Sequence, residues 1–180
     1  MYNAISAGQS TENAVGFVGT ATKLARGGFA ETGQALDVLT TIINAYGLES
    51  KDAVKISDML IQTQNKGKVT VAELSSNMGK LIPTAKANSV ALEQVCAGYA
   101  IMTSKGIAAA ETTTYMNSMF NELGKTGSKA DSALKQMAGA GFNDLMAQGK
   151  SVAEVLDILE QSAKKSGQNL ADMFGSAEAG

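Results

Sequence analysis

Cys96 is the one thiol in this 180-residue chain, and there is no histidine to take its proton. A cysteine nucleophile needs an adjacent base or a lowered pKa. Cys96 lies on or beside the apolar face from Leu92 to Tyr99 and reads as a small core residue. Without histidine the chain lacks the commonest metal ligand and the commonest general base, and a single cysteine closes no internal disulfide. Glu31, Asp37, Glu49, Asp52 and Asp58 could do acid–base chemistry, but they sit at expected helix starts or on polar helix faces. Acids in a first helical turn complement the helix dipole, which accounts for Glu49, Asp52 and Glu73 without catalysis. Gly124-Lys125-Thr126 has the letters that close a phosphate loop, but it lacks the upstream glycine and the leading strand. Tyr2, Tyr46, Tyr99 and Tyr115 are expected in the core or at its boundary. The net charge is −2, and the nearest approach to a basic patch, Lys164-Lys165, reads as a solvated helix end, so no nucleic-acid site is expected. The residues predict no catalytic, cofactor-binding or metal site; the role expected is mechanical or associative, not enzymatic.

What must be positioned, then, is the backbone itself. Gly8, Gly28, Gly47, Gly67, Gly106, Gly127, Gly149 and Gly167 stand roughly twenty residues apart, with Asn88 in the one gap. Gly28-Phe29, Gly47-Leu48 and Gly106-Ile107 each place a large apolar residue straight after glycine. That is the signature of a left-handed C-cap whose next residue folds back on the last turn. Asn88 fits the series because asparagine also tolerates the left-handed region.

Between these stops the apolar residues recur at helical spacing. A first helix opens at Ser10 and carries Phe17, Val18 and Leu24. A second opens near Thr32 with Leu36, Leu39, Ile42, Ile43 and Tyr46. A third, capped by Ser50, carries Val54, Ile56, Met59, Leu60 and Ile61 over most of its circumference and is expected to be central. Thr70 and Glu73 form a capping box behind Gly67, with Val69 placed as a hydrophobic staple toward Leu74. Pro83, the one proline, is expected to end or kink that helix at Ile82. Ala91 stands where a capping serine or threonine would be expected. Tyr115 to Leu123 form another amphipathic face, and Ser151 and Glu154 a second capping box. No strand is predicted. The fold expected is all-α: a compact bundle of about eight short antiparallel helices joined by glycine-containing turns. Composition divides it into a core module over 1–123, a linker over 124–130 and a C-terminal helical extension over 131–180. Apolar residues make up 44% of the chain but aromatics only 5%, so nine methionines help to fill an adaptable core. No apolar run is long enough to span a membrane. The first eight residues read as the end of a helix begun earlier, and the last eight stop without a cap, so a piece of a longer polypeptide is expected.

Four segments in order, Thr40–Leu48, Ala53–Leu60, Asn65–Ser76 and Gly79–Pro83, resemble the core region of phage tail tape measure proteins. Ala4–Gly8, Thr20–Ala25, Asp144–Ser151 and Met173–Ser176 fit the same pattern, so the resemblance covers nearly the whole chain. Ala91 departs from it, since the family usually has a capping serine there. The resemblance implies a structural protein of a tailed phage or prophage that lies in the tail tube lumen and templates tail length. It implies the tail tube, the tail assembly chaperone and the baseplate as partners, and several copies per tail, hence self-association. It places the protein in the virion, and in the host cytoplasm during assembly. It brings no catalytic residue to this region. A continuous helix advances about 1.5 Å per residue, so a chain that reverses every twenty residues makes a poor ruler. A compact module carried on the tape is expected instead. The competing class is a helical-repeat adaptor, because two helices per about forty residues is close to an armadillo-type period. Its core positions should recur from unit to unit, and here the helix patterns differ.

Overall fold

The computed structural model describes residues 11–180, which form helices and turns without a strand. Gly8, Tyr2, Ser10 and the segment Ala4–Gly8 lie outside the described residues. The helices are α1 (Thr11–Gly27), α2 (Thr32–Tyr46), α3 (Ala53–Lys66), α4 (Val71–Ala87), α5 (Leu92–Ser104), α6 (Ala109–Gly124), α7 (Lys129–Ala138), α8 (Phe142–Ala147) and α9 (Val152–Lys165). Short 3-10 helices cover Ser50–Asp52 and Leu170–Met173. The fold is all-α, as its periodicity requires.

Two compact units divide the chain. The first comprises the residues up to Pro83 together with Val95–Thr113. In it α1 packs on α2 and α3, and Leu24, Leu39, Ile42, Ile56, Leu60, Leu74, Met78 and Tyr99 are buried. The second comprises Thr84–Gln94 and Thr114–Gly180. There α9 packs on α7, α8 and the terminal 3-10 helix, and the rings of Phe120 and Phe142 stack at 6.4 Å. The linker expected at 124–130 therefore lies inside the second unit. Gly-Lys-Thr-Gly-Ser has linker composition, but Ser128 caps α7 by accepting a bond from the Asp131 N–H, and the Asp131 carboxylate accepts the Gly127 N–H at 2.7 Å.

Six helix ends share one hydrogen-bond pattern. The N–H groups of Ala30, Leu48, Val90, Ile107, Lys150 and Gln168 donate to carbonyls five residues back, at Ala25, Ile43, Ala85, Met102, Leu145 and Ala163. This is the long bond of the Schellman motif, closed across one left-handed residue. Each time the next helix begins three residues beyond that left-handed residue. Gly47 (φ +65) and Gly106 (φ +95) hold it where expected. At the α1–α2 and α4–α5 turns it is held instead by Phe29 (φ +52) and Ser89 (φ +58), one residue beyond Gly28 and Asn88. Gly28 is needed for closeness: a Cβ there would overlap the Val71 side chain and lie 2.8 Å from the Leu24 carbonyl. Gly67 is extended (φ −100), and a Cβ on it would overlap Thr103 Oγ1.

Two further expectations give way. Helix α4 does not end at Ile82 but runs through Pro83 to Ala87. Proline forfeits its bond to Gly79 at about 3 kcal/mol in an ordinary helix interior, but both residues lie on the exposed face while Leu81, Ile82 and Ala85 are fully buried on the other. Helix α3 is not buried all round: Ala53, Ile56, Ser57, Leu60 and Thr63 form its one buried face, and Val54 is 57% exposed. Its apolar residues outnumber the positions its neighbours cover.

Candidate functional site

The best-built polar arrangements are the helix starts. At α4 the Thr70 N–H donates to Glu73 Oε2 at 2.7 Å, and the Glu73 N–H donates to Thr70 Oγ1 at 3.2 Å. The same reciprocal pair joins Ser151 and Glu154 at α9, where the Val152 N–H also donates to Gln94 Oε1 at 2.6 Å. The Ser151 N–H and hydroxyl hold the Glu154 carboxyl below the usual carboxylate range. Asp131 is likewise lowered, first by Lys135 Nζ at 2.8 Å and then by the Gly127 N–H. Glu31 and Glu49 cap α2 and the first 3-10 helix, with Gln34 and Asp52 reaching back to their N–H groups at 2.9 Å each. The capping role expected of Ser50 falls to Glu49, because a 3-10 turn precedes α3. These carboxylates are spent on orphan backbone donors, which is structural work.

Tyr99 is fully buried, and its hydroxyl shares a 2.5 Å hydrogen bond with Thr113 Oγ1. Burial pushes its pKa up to about 12, so it stays neutral across ordinary pH. Thr103 donates to the Tyr99 carbonyl and accepts the Lys68 N–H at 3.1 Å, tying the α3–α4 turn to α5. Cys96 is buried on α5. Gly124 closes α6, where a Cβ would overlap the Asn88 side chain, so Gly124-Lys125-Thr126 is a helix end and no phosphate loop. Among the described residues no cluster of three or more cysteines and carboxylates could hold a metal ion.

Surface hollows occur among the described residues. One of about 510 Å³ in the first unit is lined by Gly16, Phe17, Thr20, Glu49, Ser50, Lys51 and Val54. Glu49 and Lys51 pair across its rim at 2.6 Å, and Lys51 is raised mainly by that carboxylate. Another, of about 480 Å³, is lined by Lys129, Asp172, Phe174 and neighbours in the second unit. Neither joins a nucleophile to a base. Sequence reading missed Gln64, whose side chain donates to the Gly27 carbonyl at 3.0 Å and accepts the Val71 N–H at 3.1 Å. It missed Asp131 as well, although Ser128 three residues before it was a readable N-cap signal. Among the described residues no helix is long and apolar enough to cross a membrane.

A family model described as phage-related minor tail protein matches residues 1–175. The chain is 38% identical over 190 residues to a protein of Clostridium phage phiCD119 named a probable tape measure protein. The match covers 100% of the chain and 20% of that relative, so the chain spans about a fifth of the length of the curated protein it resembles. No solved structure matches.

Proposed function

The chain belongs to the phage-related minor tail protein family, and from that premise we propose that it is a structural module of a tape measure protein. It acts where a tail is built, with the tail tube, the assembly chaperone and the baseplate as partners and with further copies of itself. In the finished virion the protein lies in the tail lumen, and during assembly in the host cytoplasm. No catalytic step is part of this reading.

Helix length is the observation that carries the finer reading. The longest described helices have 17 residues, about 25 Å of rise each, and every one ends in a reversal or cap. A tape sets length by extent, so this segment works as a folded attachment or assembly unit on the tape, and the measuring is done by other sequence. The test is an in-frame deletion of the segment in a phage that encodes it, with tails imaged by electron microscopy. Absent or malformed tails are expected. Normal tails shortened in proportion, by up to about 270 Å for 180 residues of continuous helix, would overturn the module reading while leaving the tape reading standing.

A further inference from the structure

One end of the first unit gathers cations that are far apart in sequence. Three helix ends meet there, each held by at least one backbone group. The end of α1 is held by the bond from Gln64 to the Gly27 carbonyl and by the Val71 N–H to the Gly28 carbonyl at 3.0 Å. The α3–α4 turn is held to the end of α5 by the Lys68 N–H on Thr103, and Gly67 lies against Ala100. Arg26, Lys66, Lys68 and Lys105 each stand within two residues of one of these contacts. All four are exposed, and none makes an ion pair with a described residue. The neighbouring carboxylates of Glu31 and Glu73 accept bonds at their own helix starts and form no ion pair with any of the four cations.

Two large apolar side chains stand in the same region. Phe29 is 79% exposed and Ile101 62% exposed, one turn before Lys105. Phe29 holds a left-handed backbone that bulky residues rarely adopt. The adjoining Gly28 lies close against Val71, and the turn leaves the Phe29 ring in water. Aromatic residues and arginine are enriched at protein interfaces.

We infer that this end of the unit docks an acidic amphipathic segment of a protein partner: carboxylates meet Arg26, Lys66, Lys68 and Lys105, and apolar side chains cover Phe29 and Ile101. Charge complementarity selects that occupant. A dense polyanion is disfavoured because the chain as a whole carries −2 and four cations neutralise few phosphates. A nucleic-acid backbone would also leave the two apolar residues uncovered. A peptide with a few carboxylates on one face and leucines on the other satisfies both features.

The probe is a synthetic helical peptide of that pattern, labelled for fluorescence anisotropy and titrated with the 180-residue chain across a salt series. Salt-sensitive binding is expected, weakened on the order of tenfold or more when Arg26, Lys66, Lys68 and Lys105 are all changed to Gln. Binding is expected to be unchanged by Lys164→Gln with Lys165→Gln in the second unit, and reduced by Phe29→Ser at constant salt slope. Circular dichroism checks that each variant is folded, and single Gln variants replace the quadruple one if it is not. No binding, equal binding by the variants, or tighter binding to single-stranded DNA or phosphatidylglycerol vesicles overturns the inference. So does self-association in sedimentation velocity that the Gln variants abolish, because the occupant would then be a second copy.

Discussion

Gly28 and Gly47 look alike in sequence, each ending a helix before an apolar residue, but the structure gives them different work, and substitution separates the two. Gly47 has φ +65 with open space where a Cβ would stand. Alanine there meets only the left-handed penalty of roughly 1–2 kcal/mol, partly offset by about 0.4–1 kcal/mol from a less flexible unfolded chain. The net cost is near 1 kcal/mol, and asparagine, which tolerates this region, recovers most of it. Gly28 lies outside that region, and an added Cβ would run into both Cβ and Cγ2 of Val71. The start of α4 must then move, with the bond from the Val71 N–H to the Gly28 carbonyl at risk. Overpacking against backbone-anchored atoms costs about 3 kcal/mol, and asparagine fares no better than alanine. Val71→Ala leaves the offending Cβ in place, so Gly28→Ala with Val71→Ala stays destabilised. Urea unfolding followed by circular dichroism supplies the comparison, and melting temperatures should fall by roughly 2–4 °C per kcal/mol for a chain of this size. A milder effect at Gly28 than at Gly47, or rescue by asparagine at Gly28, would refute the assignment of closeness to one glycine and conformation to the other.

Other perturbations test the polar interior. Thr112 is fully buried with a hydroxyl that makes no hydrogen bond to a described residue, so Thr112→Val should raise stability by about 1 kcal/mol in urea melts; a loss of that size would mean the hydroxyl has a partner. Tyr99→Phe removes one buried hydroxyl while Thr113 keeps its bond to the Ala109 carbonyl, a cost of about 1 kcal/mol. Because the folded pKa of Tyr99 is raised to about 12, its stabilising effect is complete below the usual tyrosine value and fades as pH rises toward 12. The late part of the tyrosinate absorbance titration should therefore be missing from Tyr99→Phe. Asp131 and Glu154 are lowered, so their contribution is present above the usual carboxylate range and is lost as pH falls through their folded values. The stability difference between pH 7 and strongly acid buffer should shrink in Asp131→Asn.

The helices and their reversals were readable from sequence because both are set locally. Period and apolar type determine which face is buried, and Thr70 with Glu73 or Ser151 with Glu154 close a hydrogen-bonded ring over four residues, needing nothing from elsewhere. The glycine series located turns to within one residue and failed where glycine answered a neighbour from another helix. Gly28 answers Val71, Gly67 answers Thr103 and Gly124 answers Asn88, pairs between 36 and 43 residues apart that no local pattern announces. Pro83 misled for the same reason: its local rule holds, but burial of Leu81 and Ile82 decides the outcome. The basic end was hidden from sequence because charge is read along a chain and felt across a surface. Arg26, Lys66 and Lys105 are single cations near three separate helix ends, each explained locally by a helix dipole. Only packing makes them neighbours, and only their lack of carboxylate partners distinguishes a docking surface from three ordinary helix ends.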